Sequence, residues 1–147
     1  MRLGKFIESN LTEILEEWDS FAKAVFGGMD KANHHLLRDH AQEVLEELVL
    51  AMEKIEGPQK QIEKSLGAAP SANPDENAAN VHGMLRHHDG ISIGALAAEF
   101  RALRASVMRL WVPEIPVITK QIVIDIIRFN EAIDEALADS IATYENH

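Results

Sequence analysis

The chain has 147 residues, 46% of them hydrophobic, which is enough for one domain around one core. Twenty-four acidic against fourteen basic side chains give a formal net charge of -10, which argues against nucleic acid and against an anionic membrane surface as partners. With no cysteine, disulfides, thiol catalysis, zinc fingers and iron–sulfur clusters are excluded.

The opening MRLGKFIESN lacks the apolar core of a signal peptide, and no apolar run approaches the roughly 20 residues of a membrane span. A cytoplasmic chain is the expectation. From Leu3 to Phe26, Phe6, Ile7, Leu11, Ile14, Leu15, Trp18, Phe21, Ala22 and Val25 recur at three- and four-residue steps, predicting one amphipathic helix stopped by FGGMD. A second helix is predicted from Asn33 to Lys54, with Leu37, Ala41, Val44, Leu45, Leu48 and Met52 on its apolar face and a break at Gly57–Pro58. QKQIEKSLG predicts a short third helix, and AAPSANPD a surface loop.

Asp75 is a candidate N-cap for a helix from Glu76 to His87 that Gly90 closes. Ser92 then caps a helix to Trp111, with Leu96, Phe100, Leu103, Val107 and Leu110 inward, ended by Pro113 and Pro116. The last helix is predicted from Ile118 through Ile122, Ile126, Phe129, Ile133, Leu137, Ile141 and Tyr144 to the chain end. PVITKQIVIDII is β-branched enough to imitate a strand, but the helical spacing persists beyond it.

HGMLRHHDG concentrates the chain's candidate chemistry. A helical metal site needs ligands three or four residues apart on one face. His82 and His87 are five apart, and His87–His88 and His34–His35 are adjacent pairs that point in different directions. His34 does lie four after Asp30 and His40 three before Glu43, but no intrinsic metal is predicted. His87 and His88 read as the polar last turn of a helix, where a cation complements the dipole.

Haem needs one axial histidine in an apolar pocket, which His40 or His82 would have to supply. A kinase phosphoacceptor is not matched, because HHDGISIG shares only His88–Asp89 with that motif and Gly90 breaks the helix at once. Phosphate loops, nucleophile elbows and framed carboxylate pairs are absent from the sequence, so an enzyme is not expected. In EFRALRASVMRLW, Glu99, Arg101, Arg104 and Arg109 read as a solvated polar side with local ion pairs, in preference to a surface that recognises an anion or a partner.

FIESNLTEILEEWDSFA, LLRDHAQEVLEELVLAM, Lys64–Gly67, HG.LR at His82–Arg86, EFRALRASVMRLW and RFNEAIDEALADSIATY together resemble the RsbRD N-terminal domain family, across Phe6 to Tyr144. That family forms the amino-terminal region of bacterial sensor histidine kinases and stressosome-type co-antagonists. The resemblance implies a helical domain, with related sensor domains globin-like but without haem. His82, Gly83, Arg86, Glu99, Arg101, Arg104, Arg109, Trp111, Arg128 and Asn130 fall in the matching segments, with no catalytic role implied for any of them.

The expectation is therefore a single all-α bundle over residues 1–147. Its C-terminal helix, 118–147, would lead toward a downstream kinase module in cis. Function would be non-catalytic sensing in a homodimer without cofactor, with His82 and Arg86 a partly buried structural pair that holds one helix against its neighbour or sits at a pocket edge, worth about 1–2 kcal/mol each. The stripe Ile126, Phe129, Ile133, Leu137, Ile141 and Tyr144 is expected to serve both the intramolecular core, near Ile126, and a parallel partner helix, near Tyr144. The alternative is a globin-like domain holding a small ligand or haem at His40, His82 or Arg86. An absorption spectrum of protein from haem-supplied cells separates the two.

Overall fold

The computed structural model describes residues 1–26, 31–53, 78–88 and 90–146. Within them the backbone forms six α-helices and no strand: α1 (Leu3–Ser9), α2 (Leu11–Phe26), α3 (Lys31–Glu53), α4 (Ala78–His88), α5 (Ile93–Trp111) and α6 (Lys120–Glu145), with a 3-10 turn at Val112–Glu114. The expected helix in QKQIEKSLG, the loop at AAPSANPD, the Asp75 cap and the breaks at Gly27–Gly28 and Gly57–Pro58 lie outside the described residues. So do the side chains of Val25, His34, His35 and Leu37. No described helix is long and apolar enough to cross a membrane.

The first expected helix is two. Asn10 leaves the helical region at φ -129°, its backbone N–H donates to the Ile7 carbonyl, and its side-chain amide donates to the Phe6 carbonyl at 2.9 Å. A short amide that competes for backbone carbonyls is a known interrupter of helices. The ladder resumes at once, with Ile14 N–H on the Asn10 carbonyl, so both pieces keep one buried stripe of Leu3, Phe6, Ile7, Ile14, Leu15, Trp18 and Ala22.

Asp125 of α6 ties down the chain's start. Arg2 grips both its oxygens, at 2.7 and 3.2 Å, and the Leu3 N–H donates to one of them at 3.1 Å. Burial pushes the Asp125 carboxyl up, but those hydrogen bonds and the Arg2 charge outweigh it and hold the group below its ordinary value.

Helix α3 buries Ala41, Val44, Leu45, Leu48, Val49 and Met52, the expected face with Val49 added. Helix α4 ends as its glycine predicts: Gly90 takes φ +72°, its N–H donates to His87, and Ile91 N–H donates to Arg86, the paired bonds of a Schellman cap. Ser92 caps α5 by accepting from Ala95 N–H at 3.1 Å.

Leu110, expected inward, is half-buried; Trp111 takes the buried place and donates its indole N–H to the Met1 carbonyl at 3.1 Å. Helix α6 starts two residues later than expected, because Thr119 stays extended and caps it from outside by accepting from Ile122 N–H at 3.3 Å. Ile118 is left exposed. The helix closes at Glu145, with Asn146 as its C-cap.

Helix α6 packs on α1, α3, α4 and α5. Phe129 and Ile133 lie in the core, with Ile126, Leu137, Ile141 and Tyr144 partly buried against it. The stripe is thus engaged within the chain at its Ile126 end, as expected, and also at the Tyr144 end that was expected to meet a partner helix. The Tyr144 hydroxyl even donates to the Ile91 carbonyl at 2.6 Å. What α6 exposes instead is Val123, Ile127, Asp134, Ala138 and Ala142.

Candidate functional site

His82 and Arg86 are one helical turn apart on α4, and both turn inward onto Glu99 of α5. All three are buried, at 3%, 2% and 1% exposure. Arg86 Nε donates to Glu99 Oε1 at 2.6 Å, while His82 Nε2 makes a short hydrogen bond to Oε2. A carboxylate paired with a guanidinium can only accept, so the proton of this bond belongs to Nε2. That leaves Nδ1 as the remaining polar atom of His82, buried and without a hydrogen-bond partner.

Aromatic edges hold the imidazole in place. Phe100 meets it edge-on at 5.6 Å between centroids, and His40 of α3 meets it likewise at 6.3 Å. His40 is only half-buried, yet its Nδ1 is also enclosed and unpartnered. Burial first, then the electrostatic effect of His82 and Arg86, pushes His40 below its ordinary value of 6.5, against a weaker pull from Glu43 and Asp39 on its own helix. Trp18 of α2 completes the enclosure by donating its indole N–H to the Glu99 backbone carbonyl at 3.4 Å.

Next to His82, Gly83 lets α4 and α6 touch backbone to backbone. A Cβ on it would press onto the Ser140 carbonyl oxygen and come within 2.8 and 2.9 Å of the Ser140 carbonyl carbon and Cα. Around this contact the Ser140 hydroxyl donates to the Ala79 carbonyl, and the Thr143 hydroxyl donates to Asn80 Oδ1 at 2.6 Å. Helix α4 thus carries the buried cluster on one flank and seats α6 on the adjacent one.

Two expectations about these residues are corrected. Glu99 does not line a solvated face; it is the hub of the cluster. His82 and Arg86 are fully buried rather than partly so. The arginines of α5 also pair across helices rather than locally, Arg104 with Asp134 of α6 and Arg109 with Glu17 of α2. Those pairs are partly solvated and contribute little each. Arg101 is exposed, Arg128 and Asn130 are half-buried on α6, and Trp111 is in the core.

His87 and His88 are exposed in the last turn of α4, with the His87 ring edge-on to Tyr144 at 5.1 Å. Among the described residues, no group of three or more His, Cys, Asp or Glu side chains is placed to hold a metal ion. Haem ligation through His82 would have to come from Nδ1, because Glu99 holds Nε2, and that nitrogen is enclosed in the packed interior. His82 does not fit an axial ligand.

Comparison with protein families, with curated proteins and with solved structures returns no match, so the resemblance to the RsbRD N-terminal family stands on the quoted segments alone.

Proposed function

We propose that this chain is a non-catalytic input domain that passes a signal along α6 to a kinase module in cis, as its resemblance to the amino-terminal regions of sensor histidine kinases implies. The observation that carries the reading is the seating of α6 on α4 at Gly83 and Ser140, one residue from the buried His82–Glu99–Arg86 cluster. A rearrangement of that cluster moves α4, and with backbones in contact α4 cannot move without α6.

The test begins with the reading frame after His147. A kinase core is expected there, and autophosphorylation of the full-length product from ATP should change when Ser140→Leu disturbs the α4–α6 seat. A frame that encodes no signalling module, or a kinase whose rate ignores that substitution, would overturn the reading.

The domain is further proposed to act as a homodimer with parallel final helices. Since the expected stripe is engaged internally, the seam must use the exposed face that carries Val123, Ile127, Ala138 and Ala142. The small alanines permit close approach, while Asp134 at the middle of this face is paired to Arg104 and so repels less across a seam. Ala138→Cys or Ala142→Cys is expected to crosslink to its twin under mild oxidation. Failure at both positions, with a monomeric mass by light scattering at high concentration, would remove the dimer.

A further inference from the structure

His40 stands between solvent and the buried cluster. Its ring edge meets His82, its Nδ1 has no partner, and the carboxylate of the cluster, Glu99, already has one oxygen on Arg86 and the other on His82. A neutral imidazole tolerates that position, since what it buries is a weakly polar ring against another ring. A protonated one does not.

A proton on His40 would create a cation beside Arg86 and His82 of α4, with an enclosed N–H that finds no acceptor. The charged groups acting on it are those two, together with Asp39 and Glu43 of its own helix, which lie toward solvent; Asp19 of α2 is paired with Arg38. The shortest relief is for the ring to swing outward to Asp39 and Glu43, which abandons His82.

We propose that the His40–His82 contact is a proton-operated latch between α3 and α4, closed when His40 is neutral and opened when it takes up a proton. Opening leaves His82 with Glu99 and Phe100 as partners and removes one of the contacts that α3 makes with α4. Because Gly83 follows His82 and bears directly on Ser140, a looser α4 also loosens the seat of α6. If the chain is the input domain proposed above, proton concentration is a signal it can read. The latch itself does not depend on that reading, and the test uses the chain alone.

The sign follows from linkage. His40 has a folded-state value below its ordinary 6.5, so its contribution to stability is fully present above that pH and is lost as pH falls through the lowered folded-state value. Other histidines and carboxylates also titrate, so the comparison must be between variants. On going from neutral to mildly acidic pH, the wild-type chain is expected to show a downward shift of its urea midpoint and a loss of amide-exchange protection in α4 and in α6 around Ser140, after correction for intrinsic exchange. His40→Gln should show a smaller midpoint shift and keep that protection.

Equal pH responses in the two proteins would overturn the latch. Should His40→Gln not fold, nitrogen chemical shifts of the wild-type imidazoles read the same event directly. A His40 that titrates at or above 6.5, or that titrates without disturbing the amides of His82 to Arg86, overturns it as well.

Discussion

Glu99→Ala is expected to destabilise the fold by about 3–5 kcal/mol, the usual consequence of removing one partner from a buried ionic group. Glu99 is 1% exposed, and both of its oxygens are used. Without it the buried Arg86 guanidinium loses the carboxylate that its Nε donates to, and His82 Nε2 loses its acceptor. Water cannot easily replace the carboxylate in a site closed by Trp18, Phe100 and His40. Glu99→Gln should fall between, since the amide oxygen still accepts from one neighbour but brings no charge.

Arg86→Ala reverses the problem by taking the guanidinium from a buried carboxylate and leaving it the His82 hydrogen bond. Its cost should exceed the about 1–2 kcal/mol expected when the arginine was read as partly buried. His87→Ala and His88→Ala are the controls. Both side chains are exposed, and each change should stay within about 0.5 kcal/mol. Denaturant unfolding of the variants gives the order, and a Glu99→Ala protein as stable as His88→Ala would show that the cluster holds nothing together.

A further replacement separates stability from signalling. Apolar residues of similar volume at His82, Arg86 and Glu99 together are expected to restore most of the stability lost by any single change, because a packed apolar cluster is at least as favourable as a buried ionic one. If the restored protein then fails to regulate a downstream kinase, the polar cluster is retained for its rearrangement and not for its strength. The positions of Gly83 and Ser140 give that rearrangement its route to α6.

Most helices were legible because their apolar residues repeat at helical spacing and their caps are local. Ser92 before α5 and Gly90 after α4 each act through bonds within five residues, so residue type and position suffice. The break at Asn10 was missed because the apolar stripe runs through it unchanged, and only the asparagine amide, four residues after Phe6, signalled it.

Glu99 was misread by residue type although its position was informative. It lies three after Leu96 and four before Leu103, both buried, which places it on the apolar face. A carboxylate at such a position needs cations from elsewhere, and His82 and Arg86, one turn apart on another helix, are a matching pair. What no spacing along the chain could supply is the register between helices. The meeting of His40 with His82, of Arg109 with Glu17 and of Gly83 with Ser140 depends on how separate helices stack, and that is decided by the packing of the whole core.

Gly83→Ala carries the other large expected effect, and its sign opposes the usual one. Within an ordinary helix, alanine in place of glycine is favourable by about 1 kcal/mol, since the unfolded chain loses freedom and the helix gains a good former. At Gly83 the added methyl lands on the backbone of Ser140, within 2.8 Å of its carbonyl carbon and 2.9 Å of its Cα. Backbone cannot rotate away as a side chain would, so α4 and α6 must separate. That separation strains the bonds from Ser140 to Ala79 and from Thr143 to Asn80, and it pulls the adjoining His82 against Glu99. The net cost is expected to be about 3 kcal/mol, at the upper end for an overpacked interior. Two other glycines calibrate it. Gly94→Ala, in the first turn of α5 with only the Ser92 hydroxyl nearby at 3.9 Å, should be neutral or stabilising. Gly90→Ala meets open space but must hold φ +72°, for a cost of about 1–2 kcal/mol. Thermal and urea unfolding should therefore rank Gly94→Ala above the wild type or level with it, Gly90→Ala below, and Gly83→Ala last. A Gly83→Ala protein that unfolds with Gly94→Ala would mean that α4 and α6 do not meet through their backbones, and the route from the buried cluster to the last helix would be lost with that contact.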